Sequence, residues 1–240
     1  MNPVSEAIRV EGLEKSFGDW PVLWDLDLTL GWGQFFVLFG ANGAGKSTLL
    51  RILSTQAKAD AGDALVAGHD LRRNPQAVRN RVGVVAHRTF LYDDLTSLEN
   101  LVYYGRLFGL KDSVKRADEA LSRLGMSRWS GHRLRSLSHG MQKRVAIARA
   151  IMHQPPVLML DEPESGLDRG SVDVLKELLQ EWTASGRSVV MTTHDTDLGF
   201  SWTRQVGLLA DGKLHRPGSG GVDDDTEFRR VVTESLESNR

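Results

Sequence analysis

Short hydrophobic segments alternate with longer amphipathic ones along the chain, and this alternation predicts an α/β domain. Leu26, Leu28 and Leu30 are separated by polar residues, which is the period of a half-buried strand. Residues 34–39 (Gln-Phe-Phe-Val-Leu-Phe) are almost continuously apolar, which favours a parallel strand buried on both faces. Further strands are predicted at residues 4–13, 23–30, 82–85, 157–160, 188–193 and 206–209, and helices at about 46–54, 96–109, 112–124, 140–153 and 170–184. Strands that alternate with helices favour a mostly parallel sheet.

Residues 95–150 have no clear strand pattern, and we interpret them as a helical insertion. One of its helices has apolar residues at spacings of three and four, and Gly125 is placed to end it. This apolar face consists of Ala117, Ala120, Leu121 and Leu124. Residues 217–225 (Pro-Gly-Ser-Gly-Gly-Val-Asp-Asp-Asp) predict a linker before a short amphipathic helix. We therefore expect one domain at 1–215, followed by an acidic linker and a C-terminal helix at 216–240.

Composition narrows the class of protein. The chain has 240 residues, of which 40% are hydrophobic and 25% charged, and its net charge is −1. These values are typical of a globular protein and exclude disorder or a coiled coil as the main architecture. The sequence contains no cysteine, which excludes disulfides, thiolate metal sites and a cysteine nucleophile. Its apolar runs are far shorter than the roughly 20 residues of a membrane helix, and Met1–Val10 does not resemble a signal peptide. If the protein acts at a membrane, we expect another chain to cross it.

A glycine-rich segment directly after the buried strand predicts a phosphate-binding loop. Residues 40–47 (Gly-Ala-Asn-Gly-Ala-Gly-Lys-Ser) fit the pattern GxxxxGK[ST]. Small residues allow backbone N–H groups to surround phosphate oxygens, and the helix that begins near Lys46 directs its positive end at the same anion. Lys46 is expected to contact the β- and γ-phosphates, and the Ser47 hydroxyl to bind Mg²⁺. The alternative is a glycine-rich turn with an incidental lysine, but the strand before it and the helix after it favour nucleotide binding.

A second candidate feature is the acidic pair Asp161-Glu162, which ends the predicted strand 157–160. In α/β sheets, ligands bind at the carboxyl ends of the strands. Asp161 is placed to hold Mg²⁺ through water, and Glu162 to orient an attacking water or to take a proton from it. The pair would otherwise be a solvated strand end. Together with the phosphate loop it favours phosphoryl transfer, which needs both groups.

Further segments, in order along the chain, carry a family resemblance. Residues 137–142 (Leu-Ser-His-Gly-Met-Gln) resemble the LSGGQ signature of ATP-binding cassette (ABC) ATPases. Phe17 matches the aromatic residue that stacks on adenine in that family, residues 165–168 (Ser-Gly-Leu-Asp) its D-loop, and His194 its switch histidine. The resemblance covers about residues 4–215. Ser138 and Gly140, at the start of a predicted helix, also form an anion site, and Ser138 is expected to cap that helix.

The resemblance implies a P-loop NTPase fold with an ABC-type core: a mostly parallel sheet, an antiparallel β part and a helical insertion. It implies ATP and Mg²⁺ as cofactors, with Glu162, His194 and Lys46 as catalytic residues. The implied ATP-binding residues are Phe17, Gly40, Ala41, Asn42, Gly43, Ala44, Gly45, Lys46, Ser47, Thr48 and His87, and the implied metal ligands are Ser47, His87 and Asp161. The residues implied to reach ATP on the opposite subunit are Ser138, His139, Gly140 and Met141, with Ser165 and Asp168 in the D-loop.

The resemblance also implies partners. These are a second ATP-binding subunit, either another copy or a homologue, and transmembrane permease subunits. The expected location is cytoplasmic, peripheral on the inner face of the cell membrane, and no nucleic acid is expected. One alternative is a non-transport ABC ATPase that acts on nucleic acid or ribosomes, but the chain has one cassette, no heptad run and no cysteine. A P-loop kinase is the other alternative, and the ordered signature, D-loop and switch histidine disfavour it.

The sequence departs from the family pattern at three positions. His139 replaces a glycine of the signature, and Met141 replaces a glutamine, so the amide hydrogen bonds of that glutamine are lost. His87 stands where the family usually has the glutamine of the Q-loop. Its imidazole either contacts the metal, directly or through water, or only shapes the loop. His87 together with Gly140-Met141-Gln142 resembles the ATP-binding subunits of heme exporters of the cytochrome c maturation type, which makes heme export a possible function.

Two surface clusters complete the sequence picture. Five arginines occur between residues 72 and 88, where there is no acid; they are Arg72, Arg73, Arg79, Arg81 and Arg88. A solvated face or a docking site for acidic groups is favoured over nucleic acid, because no aromatic platform is interleaved with them. An apolar stripe consists of Tyr103, Tyr104, Leu107 and Phe108. Such a stripe is usually core, and part of it is a candidate groove for a helix of the membrane subunit.

Overall fold

The computed structural model describes residues 6–217 and 225–237, in which strands and helices alternate as the sequence predicts. The strands are β1 (Glu6–Phe17), β2 (Trp20–Gly31), β3 (Phe35–Phe39), β4 (Ala61–Val66), β5 (His69–Asp70), β6 (Val82–Val85), β7 (Val157–Asp161), β8 (Ser188–Thr192), β9 (Gln205–Ala210) and β10 (Lys213–His215). The α-helices are α1 (Lys46–Leu53), α2 (Pro75–Arg79), α3 (Ser97–Leu107), α4 (Ser113–Arg123), α5 (His139–Ile151), α6 (Arg169–Ala184), α7 (Thr196–Trp202) and α8 (Asp225–Glu237).

The strands form two sheets. The smaller sheet has the order β2-β1-β4-β5 and its pairings are antiparallel. The larger has the order β10-β9-β3-β8-β7-β6, and its pairings are parallel except for that of β10 with β9. The helices α3, α4 and α5 lie between β6 and β7 in the chain. This confirms the predicted fold of a mostly parallel sheet, an antiparallel β part and a helical insertion.

Strand β3 lies inside the larger sheet, between β9 and β8, and all five of its residues are buried. Successive side chains of a strand point to opposite faces. Accordingly Phe35, Val37 and Phe39 pack into one hydrophobic cluster with the helices α3 to α8, and Phe36 and Leu38 pack into a second cluster with α1 and the antiparallel sheet. The prediction of a strand buried on both faces is confirmed, and the glycine-rich loop is attached to the centre of the core.

The predicted apolar face of α4 is buried in the first cluster, and Gly125 follows the helix with a φ of 67°, a left-handed conformation that suits glycine. The predicted C-terminal helix is also present, as α8. Its residues Phe228, Val232 and Leu236 are buried in the same cluster, and Arg229 forms an ion pair of 2.7 Å with Asp197 of α7. Residues 218–224 of the predicted linker lie outside the described residues.

Several elements differ from the sequence prediction. Strands β1 and β2 run beyond the predicted 4–13 and 23–30, because Phe17 pairs with Trp20 and closes a tight hairpin; residues 4 and 5 lie outside the described part. The pattern missed β4, β5, α2, α7 and β10, because each of these elements is too short, at two to seven residues, to show a clear hydrophobic period. Within the described residues, no helix combines the length and the apolar character that a membrane crossing requires.

Candidate active site

The glycine-rich loop joins β3 to α1 and closes around the amino group of Lys46. The residue before the helix, Gly45, has a φ of 101°, and a Cβ there would lie 3.0 Å from the side chain of Val22, so both conformation and space require glycine. Lys46 is buried, and its Nζ donates hydrogen bonds to the carbonyl oxygens of Gly40 at 2.6 Å and Ala41 at 3.1 Å. Burial lowers the pKa of Lys46, although the carboxylates of Glu162 and Asp161 oppose this effect. The loop therefore holds a cation at the start of a helix.

The acidic pair lies at the carboxyl end of β7, where a neighbouring strand supports it. The Oδ1 of Asp161 accepts a hydrogen bond of 2.7 Å from the hydroxyl of Thr192 on β8. The backbone N–H of Glu162 donates to the carbonyl oxygen of Thr192 at 3.2 Å and to its hydroxyl oxygen at 3.1 Å. Asp161 is thereby fixed with its second oxygen free of this bond. Glu162 has a φ of 44°, so the chain turns sharply directly after the strand.

Three residues predicted to be catalytic meet at one atom. The Oε1 of Glu162 lies 3.8 Å from the Nζ of Lys46 and 3.5 Å from the Nδ1 of His194. His194 follows β8, and slightly more than half of its side chain is exposed, whereas Glu162 is about one-quarter exposed. Parallel strands end at the same edge of the sheet, and this arrangement brings together residues that are distant in sequence. A carboxylate, a cation and an imidazole thus face the space beside the glycine-rich loop.

The segment 138–141 begins α5. The Oγ of Ser138 accepts a hydrogen bond of 3.3 Å from the backbone N–H of Met141, which confirms the predicted N-cap. Gly140 lies against the segment 165–168, so closely that a Cβ at Gly140 would come within 2.5 Å of the carbonyl oxygen of Gly166. A Cβ at Gly166 would in the same way meet the Nδ1 of His139 at 2.7 Å. The replacement of glycine by histidine at 139 is therefore accommodated by a glycine opposite it.

The side chains of Met141 and Gln142 anchor the start of α5 to the core and to the segment before it. Met141 packs against the first hydrophobic cluster, which accounts for an apolar residue at this position. The amide nitrogen of Gln142 donates to the carbonyl oxygens of Leu134 and Leu137, each at 3.1 Å. The other end of the adjoining segment is also fixed, because Asp168 caps α6 by accepting a hydrogen bond of 2.8 Å from the N–H of Ser171. That bond lowers the pKa of Asp168.

Comparison with known proteins agrees with this geometry. Residues 23–165, more than half of the chain, match the family model described as ABC transporter. The chain belongs to the ABC transporter family. As a member of it, the cassette binds and hydrolyses ATP.

Its relatives include a daunorubicin resistance ATP-binding protein of Streptomyces coeruleorubidus, which is 36% identical over 89% of the cassette and 68% of the relative. A Nod factor export ATP-binding protein of Ralstonia nicotianae is 38% identical over 78% of the cassette and 59% of the relative. Among solved structures, the dimeric structure of a bacterial ABC transporter cassette superposes with a TM-score of 0.81 at 28% identity. That match covers 87% of this chain and 97% of the other. These matches confirm the ABC-type fold.

Some residues that were predicted for the site of the ABC cassette are not among the contacts that meet at Glu162. Phe17 is exposed at the end of β1, and its ring has the Nζ of Lys15 at 5.2 Å. His87 is exposed two residues after β6, on the sheet edge that carries Asp161. Asn42, Gly43 and Ser47 are exposed in the phosphate loop, as expected for groups that meet a ligand from solvent. The exposure of Phe17 is compatible with stacking on a base.

Sequence reasoning missed four polar residues beneath the site, and these are Thr192, Thr193, Glu164 and Lys143. Thr192 and Thr193 are fully buried, and Lys143 is almost fully buried within α5. A signal was present in the sequence, because two threonines directly precede His194 and Glu164 adds a third acid to the Asp161-Glu162 pair. Their importance depends on contacts between segments that are far apart in the chain.

Proposed function

We propose that this cassette powers export by separate membrane subunits, with ATP hydrolysed between two cassettes. The observation that carries the proposal is the approach of Lys46 and His194 to the same oxygen of Glu162, beside the glycine-rich loop. This arrangement supplies a cation for the phosphates, a base for water and a second polar group for the γ-phosphate. Phosphoryl transfer depends mainly on positioning and on stabilising charge, and these groups provide both.

Each side chain has a distinct role in the proposed reaction. Backbone N–H groups of residues 40–48 surround the phosphates, and the amino group of Lys46 turns from the carbonyls of Gly40 and Ala41 toward the phosphate oxygens. Glu162 orients the attacking water and accepts its proton as the new bond to the γ-phosphorus forms. His194 donates a hydrogen bond to the γ-phosphate. The bond between the γ-phosphorus and the bridging oxygen breaks, and ADP leaves with that electron pair.

The donor set around Asp161 fits Mg²⁺. Among the described residues, no cluster of three or more histidine, cysteine or acidic side chains forms a metal cage. Mg²⁺ is usually held by one or two carboxylates, a hydroxyl, waters and substrate phosphates rather than by such a cage. The Ser47 hydroxyl and the Asp161 carboxylate, which Thr192 fixes at one oxygen, supply donors of this kind. When bound, the ion neutralises phosphate charge, and His87 on the same sheet edge is proposed as a further contact.

The segment 138–141 is proposed to contact ATP held by a second cassette. The Ser138 hydroxyl and the N-terminal end of α5 form an anion site outside the phosphate loop, and the site lies against the segment 165–168. The similar cassette of known structure is a dimer, which supports a second subunit as the partner. In such a pair, Ser165 and Asp168 would lie near the boundary between the subunits. The second subunit is another copy or a homologue.

A groove on the same cassette is the proposed docking site of the permease subunit. It has a volume of about 470 Å³ and lies between β6, α3 and the end of α5. Its lining includes Phe90, Tyr104, Leu107, Phe108, Arg149 and His153. Leu107 is 65% exposed, although it is a large apolar residue, and an exposed apolar groove of this kind suits an amphipathic helix. Docking there would place the cassette on the inner face of the cell membrane.

The cargo is proposed from relatives and not from the site. The names of the relatives refer to daunorubicin resistance and Nod factor export, so we propose export of a bulky amphiphilic compound. Heme export rests only on His87 and on Gly140-Met141-Gln142, and the names of the relatives do not support it. Co-purification of the cassette from membranes would identify the permease. Transport of daunorubicin and of heme into vesicles containing that complex would then distinguish the two cargoes.

Glu162→Gln tests the proposed mechanism. We expect it to abolish ATP turnover while ATP–Mg²⁺ still binds, so that two cassettes remain associated around unhydrolysed ATP. Size-exclusion chromatography with saturating ATP–Mg²⁺ measures this association, and the wild-type cassette without nucleotide is the control. A variant that turns over ATP at the wild-type rate, or one that stays monomeric with bound ATP, would contradict the mechanism.

A further inference from the structure

Glu164 follows Glu162 by two residues and lies within electrostatic reach of both Glu162 and His194, but the mechanism above does not use it. Its Oε1 accepts a hydrogen bond from the hydroxyl of Thr193, whereas its Oε2 is buried and has no hydrogen-bond partner. Burial raises the pKa of Glu164. A carboxylate with one buried and unpaired oxygen is costly and needs a reason to be retained. The contact with Thr193 is therefore the feature to explain.

Thr193 is held on several sides, and it precedes the switch histidine. Its backbone N–H donates to the carbonyl oxygen of Leu38 on β3 at 3.3 Å. Its hydroxyl donates to Glu164 and accepts a hydrogen bond of 3.0 Å from the N–H of Asp195. Asp195 in turn caps α7, accepting a bond of 2.9 Å from the N–H of Leu198. The backbone on both sides of His194 is thus fixed through one hydroxyl group.

Lys143 brings the helix α5 into the same cluster. It is 2% exposed, and it lies within electrostatic reach of Glu164, Asp161 and Glu162, with Glu164 the strongest of the three. Burial lowers its pKa against the pull of these carboxylates. Because Ser138 caps the same helix, Lys143 links Glu164 to the helix that carries the proposed anion site.

We propose that Glu164 is a positioning residue for ATP hydrolysis, which holds the Thr193 hydroxyl and thereby fixes the His194 ring beside Glu162. Lys143 balances the charge of Glu164 from the side of α5. The inference rests on the proposed role of His194. More than half of the His194 side chain is exposed, so its position depends on the backbone that carries it. A displacement of about 1 Å from reactive geometry can cost on the order of 100-fold in rate.

Thr193→Val, Thr193→Ser and Glu164→Leu test the proposal. Valine removes the hydroxyl with little change of shape, and serine retains it. We expect Thr193→Val and Glu164→Leu to lower kcat at least about tenfold, with the KM for ATP nearly unchanged, because the phosphate loop is not altered. Thr193→Ser should restore kcat to near the wild-type value. A loss of packing alone would not separate kcat from KM in this way. Glu164→Leu leaves Lys143 without the carboxylate that acts on it most strongly, so thermal unfolding is measured for each variant. Thr193→Val decides the question where Glu164→Leu does not fold.

A double mutant with His194→Ala completes the test. If Glu164 acts through His194, adding Thr193→Val to His194→Ala causes no further loss of kcat. The positioning role would be overturned by a wild-type kcat for Thr193→Val, or by a KM that changes as much as kcat does. Additive losses of kcat in the double mutant would also overturn it. His194→Ala with a wild-type kcat would overturn the role of His194 itself and the positioning role with it. If His194→Ala is slow and Thr193→Val is not, only the positioning role fails.

Discussion

At the scale of single residues, burial makes the pKa of some ionisable groups differ between the folded and the unfolded protein. His153 shows this most clearly. Its ring stacks on Phe108 with centroids 4.2 Å apart, its Nε2 lies 3.1 Å from the carbonyl oxygen of Val82, and its Nδ1 is buried without a partner. Burial, aided by the nearby charge of Arg149, lowers the pKa of His153 to about 4. At neutral pH the folded protein therefore holds this imidazole uncharged in the lining of the proposed permease groove.

The pH dependence of stability follows from this shift. In the unfolded chain the pKa of His153 returns to 6.5, so between pH 6.5 and about 4 the unfolded chain binds the proton and the folded chain does not. The free energy of unfolding is therefore unaffected by His153 above pH 6.5. It decreases as the pH falls below that value, by up to about 3 kcal/mol near pH 4. We expect His153→Gln to flatten this part of the acid dependence in urea unfolding measured from pH 7 to 4. The same change at His215, an exposed residue of β10, is the control, and an equal effect at both positions would contradict the explanation.

At the scale of elements, the start of α5 and the segment 165–168 fit together through two glycines. Neither Gly140 nor Gly166 has space for a Cβ, because each faces the backbone or the side chain of the other segment. The start of α5 therefore cannot shift without moving Gly166, which lies between Glu162 and the cap of α6. The proposed binding of an anion at Ser138 would in this way be linked to the position of the segment 165–168.

Gly140→Ala tests this link. We expect a loss of about 1–3 kcal/mol in the free energy of unfolding, since the alanine Cβ would overlap the carbonyl oxygen of Gly166 and force the backbone apart. Gly131→Ala is a matched control, because a Cβ there meets open space. Urea unfolding measures both variants without nucleotide, so that contacts with a second cassette do not contribute. Equal stability of the two variants would show that the segments separate easily.

The elements that could be predicted from sequence are those whose signal is local. The continuous apolar run of β3, the spacing of small and apolar residues on α4 and the glycine-rich loop all depend on neighbours in the chain, and each was located correctly. Glu164 was not singled out, because its partners are distant in the chain and approach it only in the folded protein. Thr193 directly follows β8, and Lys143 lies in α5. From the sequence, Met141 is notable only for lacking the amide hydrogen bonds of a glutamine, whereas in the structure it packs against the core.

At the scale of the whole molecule, the ATP-binding edge and the groove are reached by the same helix. The N-terminal end of α5 carries Ser138, and its C-terminal half carries Arg149, which contacts the carbonyl oxygen of Val84 and lines the groove. A continuous helix of 13 residues thus connects the two proposed binding regions. Movement of one end on ATP binding would be transmitted to the permease at the other.

Leu107→Asp tests the docking of the whole cassette. A charge in the apolar groove would oppose burial against a permease helix, so we expect co-sedimentation of the cassette with membranes that contain the permease to fall at least about tenfold. Val174→Asp is the control, because Val174 is an exposed apolar residue of α6 outside the groove. Equal loss for both variants would indicate a general effect of surface charge. Unchanged co-sedimentation of Leu107→Asp would place the permease elsewhere.

The pairing of β3 also determines when the molecule can assemble during synthesis. Phe35 pairs with Val189 and Phe36 with Gln205. Strand β3, which precedes the phosphate loop, therefore cannot complete its pairing until these late segments of the chain have been synthesised. Pairings between such distant segments form slowly, and a nascent chain that ends before β8 leaves the apolar β3 without its neighbours. A translational pause before residue 188 would therefore expose this strand to chaperones or to aggregation, and ATP could not be bound until the last third of the chain had emerged.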